Sequence, residues 1–373
     1  MEKVEVHQLL SNLDYGDAIS DNALALRDVL REKGYVSNIY ARYIHPKVAS
    51  DCRYFKEHAK RSSASNIAVF HHSIASEVSE YFKGLPDGKI MIYHNITPNH
   101  FYEPFNGRMS HLLKKGKNEL KAFSRVPDLA LGDSAFNAEE LKSLGYRNVG
   151  VLPLLTDLRR LEGDSDRAVV ERYGGDFTNI IFVGRIAPNK RIEDIIRAFC
   201  FYQRFLNPSS RLFLVGSNKE AAYGSALSGL VKRLGVRDVV FTGHVTVEEL
   251  RAYYRLSHLF LCMSEHEGFC APLLEAMFFK IPVVAYRSSA VPETMGGAGV
   301  IFNDKKVEEV AELADLILRD AELRRGIVEA QTDRLKDFDR ASIGGKFIEF
   351  VESIRGAQSD RGVCGLNPGK SGR

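Results

Sequence analysis

The sequence predicts an α/β protein made of two doubly wound, Rossmann-like domains. Three observations lead there. Strand-sized apolar runs alternate with amphipathic helical patterns from residue 4 to residue 152, and such alternation implies a parallel sheet. The same pattern restarts at 180–183, after a charged and irregular stretch read as a linker. A chain of 373 residues is also long enough for two domains.

Composition removes several other classes. A hydrophobic fraction of 45% with 27% charged residues is that of an ordinary globular chain. The longest apolar runs are strand-sized, so no membrane span is expected. Met1-Glu-Lys-Val-Glu-Val does not read as a signal peptide. Five cysteines (52, 200, 262, 270 and 364) are odd in number and contain no CxxC, which fits a reducing cytoplasm and argues against structural zinc. A net charge of +3 is too small to suggest nucleic acid as a partner.

In the first half, strands are expected at 4–10, 36–41, 67–70, 89–93, 128–131 and 149–152. Helices are expected at 20–33, 74–82 and 107–123. Gly16 lies between the first strand and helix, where backbone either turns sharply or approaches a ligand. No GxGxxG fingerprint accompanies it, so a standard nicotinamide site is not expected. His94 stands at the carboxyl end of its strand, the edge where such sheets bind ligands. On the 107–123 helix, Lys114, Lys117 and Lys121 recur at spacings of three and four. They form either a solvated face or a docking surface for an anionic membrane or a phosphate-bearing acceptor.

In the second half, strands are expected at 180–183, 211–215, 239–241, 258–262 and 281–285, then three helices from 307 to 355. The first strand runs into Gly184-Arg185, with Lys190 at the start of the next helix. A lysine in a first helical turn opposes the helix dipole, and an anion between Arg185 and Lys190 would remove the conflict. Thr242-Gly-His-Val245 is a strand-end turn and a candidate wall for a base. The 258–262 strand leads into Ser264-Glu-His-Glu267-Gly268-Phe269-Cys270-Ala271-Pro272, then a helix. The amides of Gly268, Phe269, Cys270 and Ala271 lie where a helix N-terminus attracts anions or sugar oxygens. Glu267 in the turn and Glu275 in the helix would repel a bare phosphate but accept from hydroxyls. A ligand with a phosphate middle and hydroxyl-rich ends suits both. The two DxD triplets, 164–166 and 337–339, follow no apolar strand and are read as chance, so no metal ligand is assigned.

The ordered set Gly184-Arg185…Lys190, Gly243-His-Val245 and Glu267…Glu275 resembles the retaining glycosyltransferases of the two-Rossmann-domain (GT-B) type, family 4. The resemblance is specific over 180–293, where Pro282-Val-Val-Ala and Pro292-Glu293 continue the pattern. Tyr93-His-Asn-Ile-Thr-Pro98 and Gly132-Asp-Ser-Ala-Phe-Asn137 are similar to members that build bacterial and archaeal surface polysaccharides. It implies two domains facing across a cleft with C-terminal helices. The boundaries expected are an acceptor-side domain 1–158, a linker 159–176 and a donor-binding domain 177–338. A helix 339–356 would pack back toward the first domain, ahead of a disordered tail 357–373. By the same resemblance, Arg185 and Lys190 hold the donor diphosphate, Glu267 contacts the transferred sugar and Glu275 the ribose. Gly16 would bring an amide to the diphosphate and His94 would sit by the sugar; Gly184, Val245, Gly268, Phe269, Cys270 and Ala271 would complete the donor contacts. Cys270-Ala271 stands where the family usually has Gly-Leu or Gly-Val, and its thiol is not read as a nucleophile.

The activity implied is transfer of a hexosyl group, mannosyl or glucosyl, from a nucleotide-diphosphate sugar to a glycan or lipid-linked acceptor in polysaccharide biosynthesis. It would need no cofactor and no metal, and would take place in the cytoplasm or at the inner face of the membrane. Two other functions fit the same residues: a GT-B sugar-nucleotide epimerase, and a non-catalytic nucleotide-sugar-binding partner of a transferase.

Overall fold

The computed structural model describes the chain from Val4 to Cys364, with side chains as far as Gln358. It divides into two compact units. Residues 4–96, 112–157 and 338–364 form the first; Thr97–His111 and Leu158–Asp337 form the second.

The first unit holds a seven-stranded sheet in the order β3-β2-β1-β4-β5-β6-β7. Its strands are β1 (Val6–Leu13), β2 (Ile39–Ile44), β3 (Cys52–Tyr54), β4 (Ile67–His72), β5 (Gly88–Tyr93), β6 (Leu129–Gly132) and β7 (Val149–Val151). Every neighbouring pair is parallel, as the strand–helix alternation predicts. β1 runs through the polar Ser11 and Asn12, which read as loop, because β2 and β4 both pair with it and the β2 ladder continues to Leu13. The three-residue edge strand β3 lies below the length at which periodicity gives a signal.

The second unit holds six strands in the order β10-β9-β8-β11-β12-β13, again all parallel. These are β8 (Thr178–Val183), β9 (Ser210–Val215), β10 (Val239–Gly243), β11 (Leu259–Cys262), β12 (Val283–Tyr286) and the short edge strand β13 (Val300–Phe302). The order reverses between β8 and β11, so the loops leaving these strands flank a topological switch point. The helix Ile192–Phe201 lays Ile192, Ile195, Ile196 and Phe199 on the sheet, all nearly free of solvent contact.

Thr97–His111 precedes most of the first sheet's last strands in sequence yet belongs to the second unit. Phe105 packs edge-on to Tyr223, and Asn106 Nδ2 donates to Glu220 Oε2 at 2.8 Å. At the other end, the helix Arg340–Cys364 belongs to the first unit and buries Phe347 and Val351. It continues past the expected end at 356, so 357–364 are helical and not a disordered tail. Gln358 explains part of this, because its Nε2 donates to the Ala64 and Asn66 carbonyls. Residues 365–373 lie outside the described residues. The stretch read as linker is itself structured, with a 3-10 turn at Leu158–Leu161 and a helix at Arg167–Tyr173.

Candidate functional site

Two strand-end loops of the second unit build the site. β8 is followed by Gly184, whose φ of 147° favours glycine. The next loop crosses it closely: a Cβ on Gly216 would meet the Gly184 carbonyl oxygen at 2.0 Å. Gly184 N donates to Val215 O and Ile186 N to Ser217 O, both at 2.9 Å. The buried Ile186 and these bonds fix the backbone on either side of Arg185, which is exposed. Among the described residues the Arg185 side chain has no hydrogen bond or ion pair.

Lys190 ends a 3-10 turn, Pro188–Lys190, and Arg191 in the left-handed region (φ 52°) joins that turn to the helix Ile192–Phe201. Lys190 therefore stands before the helix and not in its first turn. The expected conflict with the helix dipole is relieved inside the protein: Lys190 Nζ donates to Glu267 Oε2 at 2.5 Å. Burial pulls the ammonium pKa down, but Glu267 and the Cys270 sulfur more than offset this, and the net shift is upward. Asn189 ties the two loops, since its Nδ2 donates to His266 O and its carbonyl accepts from Glu265 N, each at 2.9 Å.

Glu267 is 6% exposed. Its own amide donates to Ser289 Oγ at 2.7 Å, and Ser288 Oγ donates to Ser264 O at 2.6 Å, so the loop after β12 braces the loop after β11. Gly268 and Cys270 are half-buried, while Phe269 and Ala271 are buried. Thr294 Oγ1 donates to Phe269 O at 2.5 Å. Cys270 adopts φ 72° directly before the helix Ala271–Phe278. Among the described residues one group has metal-ligand spacing: the Cys262 and Cys270 sulfurs and a Glu267 oxygen lie within 4.8 Å of one another.

Glu275, on that helix, is buried with both oxygens engaged. Arg160 pairs with Oε1, and Tyr254 OH donates to Oε2 at 2.8 Å. Burial, and then Glu275, push the Tyr254 phenol well above its usual pKa. Arg160 comes from the 3-10 turn in the presumed linker, and Arg251 Nη2 holds its carbonyl at 2.7 Å. Sequence reasoning missed this partner because nothing local marks one arginine of that charged stretch. It also missed Tyr102, 4% exposed, whose phenol is raised by burial against the pull of Arg185, with Glu220 adding to the rise and Lys190 opposing it. The only sequence signal was an aromatic cluster, His100, Phe101, Tyr102 and Phe105, in an otherwise polar loop. Val245 is half-buried just past Gly243, where β10 ends with φ 72°.

The first unit holds the remaining candidates. Gly16 is exposed in the β1–helix turn with φ 72°, a conformation that favours glycine. His94 follows β5, is 7% exposed and uses both ring nitrogens. Nε2 meets His71 Nδ1 at 2.8 Å, and Nδ1 meets Asp133 Oδ2 at 2.9 Å. On the helix Gly107–Ala122 the three lysines do not share one solvated face. Lys114 and Lys121 are exposed, but Lys117 Nζ bonds Tyr93 OH at 2.9 Å and pairs with Glu140. The Glu140 carboxylate has captured it.

Comparison with known proteins gives a family match for part of the chain. Residues 166–334 match the family described as glycosyl transferases group 1. The chain is 26% identical over 309 residues to sulfoquinovosyl transferase SQD2 of Arabidopsis thaliana, covering 79% of this chain and 56% of that protein. It is 32% identical over 182 residues to a GDP-mannose-dependent alpha-(1-6)-phosphatidylinositol monomannoside mannosyltransferase of Mycolicibacterium smegmatis, covering 45% and 47%. The chain thus spans about half the length of these curated relatives. Among solved structures, Anabaena Alr3699/HepE in complex with UDP-glucose superimposes with a TM-score of 0.74 at 16% identity, over 93% of this chain and 99% of that one. The fold is GT-B, and residues 166–334 of its second unit are similar to the glycosyl transferases group 1 family.

Proposed function

We propose that the protein is a retaining, metal-independent glycosyltransferase of the family 4 type. It takes a hexosyl group, mannosyl or glucosyl, from a nucleotide-diphosphate sugar and passes it to a glycan or lipid-linked acceptor in cytoplasmic polysaccharide biosynthesis. One observation carries the reading: an exposed arginine without a side-chain partner among the described residues, beside a half-buried lysine paired with a buried glutamate, at the carboxyl ends of β8 and β11. The names of the relatives, and the UDP-glucose in the HepE structure, support a nucleotide-sugar as donor.

Breaking the sugar–phosphate bond leaves negative charge on the diphosphate and oxocarbenium character on the sugar. Arg185 offers a planar fork to phosphate oxygens. Lys190 is held charged by Glu267 and shares its protons between that carboxylate and the diphosphate. Both act most strongly as the leaving group gains charge, which is where stabilisation accelerates a reaction. Glu267 then accepts from sugar hydroxyls and Glu275 from the ribose, and the amides of Gly268 to Ala271 take oxygens at the helix N-terminus. The departing phosphate receives the acceptor's proton, so no protein nucleophile is assigned. These roles rest on the second unit alone.

Thermal unfolding with UDP-, GDP- and ADP-sugars tests the donor. A ligand at 100 times its dissociation constant adds about 2.7 kcal/mol. No stabilisation by any of them would overturn the reading. Turnover is expected to persist in excess EDTA; loss that magnesium or manganese restores would remove metal independence. Incubation with donor alone separates the alternatives, since an isomerised sugar would mark an epimerase, and binding without turnover on any acceptor would mark a non-catalytic partner.

A further inference from the structure

We propose that Cys262 and Cys270 form a redox-active dithiol whose disulfide displaces the residue in front of the Ala271–Phe278 helix and switches off donor binding. The effect on the donor rests on the reading above; the dithiol itself does not. Cys262 is the last residue of β11 and is 1% exposed, whereas Cys270 is half-buried and reaches solvent. Seven residues of chain separate them, yet their sulfurs lie within 4.8 Å. Rotation about the side chains and a small shift of the turn bring such sulfurs to a bond of about 2.0 Å.

A second observation is independent of that distance. Cys270 occupies the left-handed region at φ 72°, where glycine is at ease and a residue with a Cβ is strained. A strained non-glycine at a ligand-facing turn points to a use for its side chain. The surroundings decide which use. The Lys190 ammonium sits on Glu267, and the positive end of the helix begins at Cys270. Both disfavour a divalent cation, although the donor set of two sulfurs and a carboxylate would otherwise suit zinc; Lys190 also favours a thiolate on Cys270, against burial and Glu267. Cys270 draws the Cys262 thiol pKa down, while Cys262 and then burial push the Cys270 thiol well up, so Cys262 is the more acidic thiol of the pair.

The oxidant is hydrogen peroxide. One thiolate attacks a peroxide oxygen, breaking the O–O bond and giving a sulfenic acid and, after protonation, one water. The other thiol attacks that sulfur, forming the S–S bond and releasing the second water. Two thiols are oxidised by two electrons and one peroxide is reduced to two waters. The new bond draws Cys270 toward the end of β11. Phe269 O stays tied to Thr294, so the movement falls on the amides from Cys270 onward and on the nearby Lys190–Glu267 pair.

The test is to treat the reduced full chain with hydrogen peroxide, map its cysteines by peptide mass and measure affinity for UDP, GDP and ADP. The expected result is a Cys262–Cys270 bridge, changed hydrogen exchange at the amides of 269–273, and affinity lower by about tenfold, or about 1.4 kcal/mol. Dithiothreitol should reverse all three. Cys262→Ala, with Cys262→Ser as a second variant against a packing defect, should bind nucleotide like the unmodified chain and ignore peroxide. Three results would overturn the proposal: no such bridge, a bridge that changes neither exchange nor affinity, or one zinc per purified chain that protects both thiols until a chelator removes it. If the reduced chain binds none of the nucleotides, the donor reading and the switch on it fall together, and the mapped bridge with its exchange change still decides the dithiol.

Discussion

The two sheets place polar side chains at the same structural address, the carboxyl ends of central parallel strands, and leave them in opposite states. In the first unit the network closes on itself. Gln8 Nε2 donates to the Ala23 carbonyl, which turns Gln8 Oε1 toward His71 Nε2, so His71 must donate there. His71 Nδ1 then accepts from His94 Nε2–H, and His94 Nδ1 shares one proton with Asp133 Oδ2. Either placement of that proton leaves the pair neutral. Burial agrees with this count, driving the His71 pKa well down and the Asp133 pKa up. His94 can offer a ring nitrogen to a sugar only by releasing His71 or Asp133. In the second unit the charges do not close: Lys190 and Glu267 satisfy one another, and Arg185 is left over in solvent. A strand-end position recruits polar residues, but unspent charge and hydrogen-bonding capacity separate a binding site from a buried scaffold.

Breaking the open cluster should give the largest effect. Lys190→Ala leaves Glu267 buried and unpaired, which costs about 3–5 kcal/mol of stability. Adding Glu267→Gln should return part of it in urea unfolding. Arg185→Ala should leave stability within about 0.5 kcal/mol while turnover drops by the equivalent of about 3 kcal/mol. Equal stability losses in the two variants would erase the distinction between a paired and an unspent cation.

The first unit should instead answer to pH, through two buried histidines outside that network. Burial holds His58 and His72 down at about 4, against 6.5 for the free side chain. Both are neutral when folded and take up protons when unfolded. Their contribution is therefore complete above pH 6.5 and is lost as pH falls from there toward 4, by at most about 3 kcal/mol each. Urea midpoints at pH 7 and pH 4.5 measure this, and His72→Phe, beside Phe123, should flatten the profile; an equal slope in that variant would remove His72 from the account.

A smaller effect divides the two glutamates. Glu275→Gln gives up the charge partner of Arg160, costs about 2 kcal/mol of stability and weakens free nucleoside diphosphate. Glu267→Gln should spare that affinity and harm sugar transfer. Equal losses of nucleotide affinity would reject the division. Smallest is the membrane-facing expectation, now confined to Lys114 and Lys121. Each should add about 1 kcal/mol of attraction to anionic vesicles, fading with salt. Unchanged sedimentation of the Lys114→Gln, Lys121→Gln double variant would leave two merely solvated lysines.

What the sequence by itself determined was everything set by short-range pattern. Period-two and period-3.6 apolar spacing located the parallel strands other than the three-residue edge strands β3 and β13, and the restart at residue 180 separated the two sheets. Gly16 could be read as a backbone position because its demand on φ is local. Lys190, Glu267, Glu275 and Arg185 could be placed at strand and helix ends for the same reason. The tertiary structure alone decided who meets whom. It brought Glu267 to Lys190 across 77 residues and Arg160 to Glu275 across 115. It moved Thr97–His111 into the second unit, turned Lys117 onto Glu140 and set Cys262 beside Cys270. An ion pair or a thiol pair costs the chain nothing to omit locally and leaves no period behind, so partner choice appears only once packing has fixed the distances.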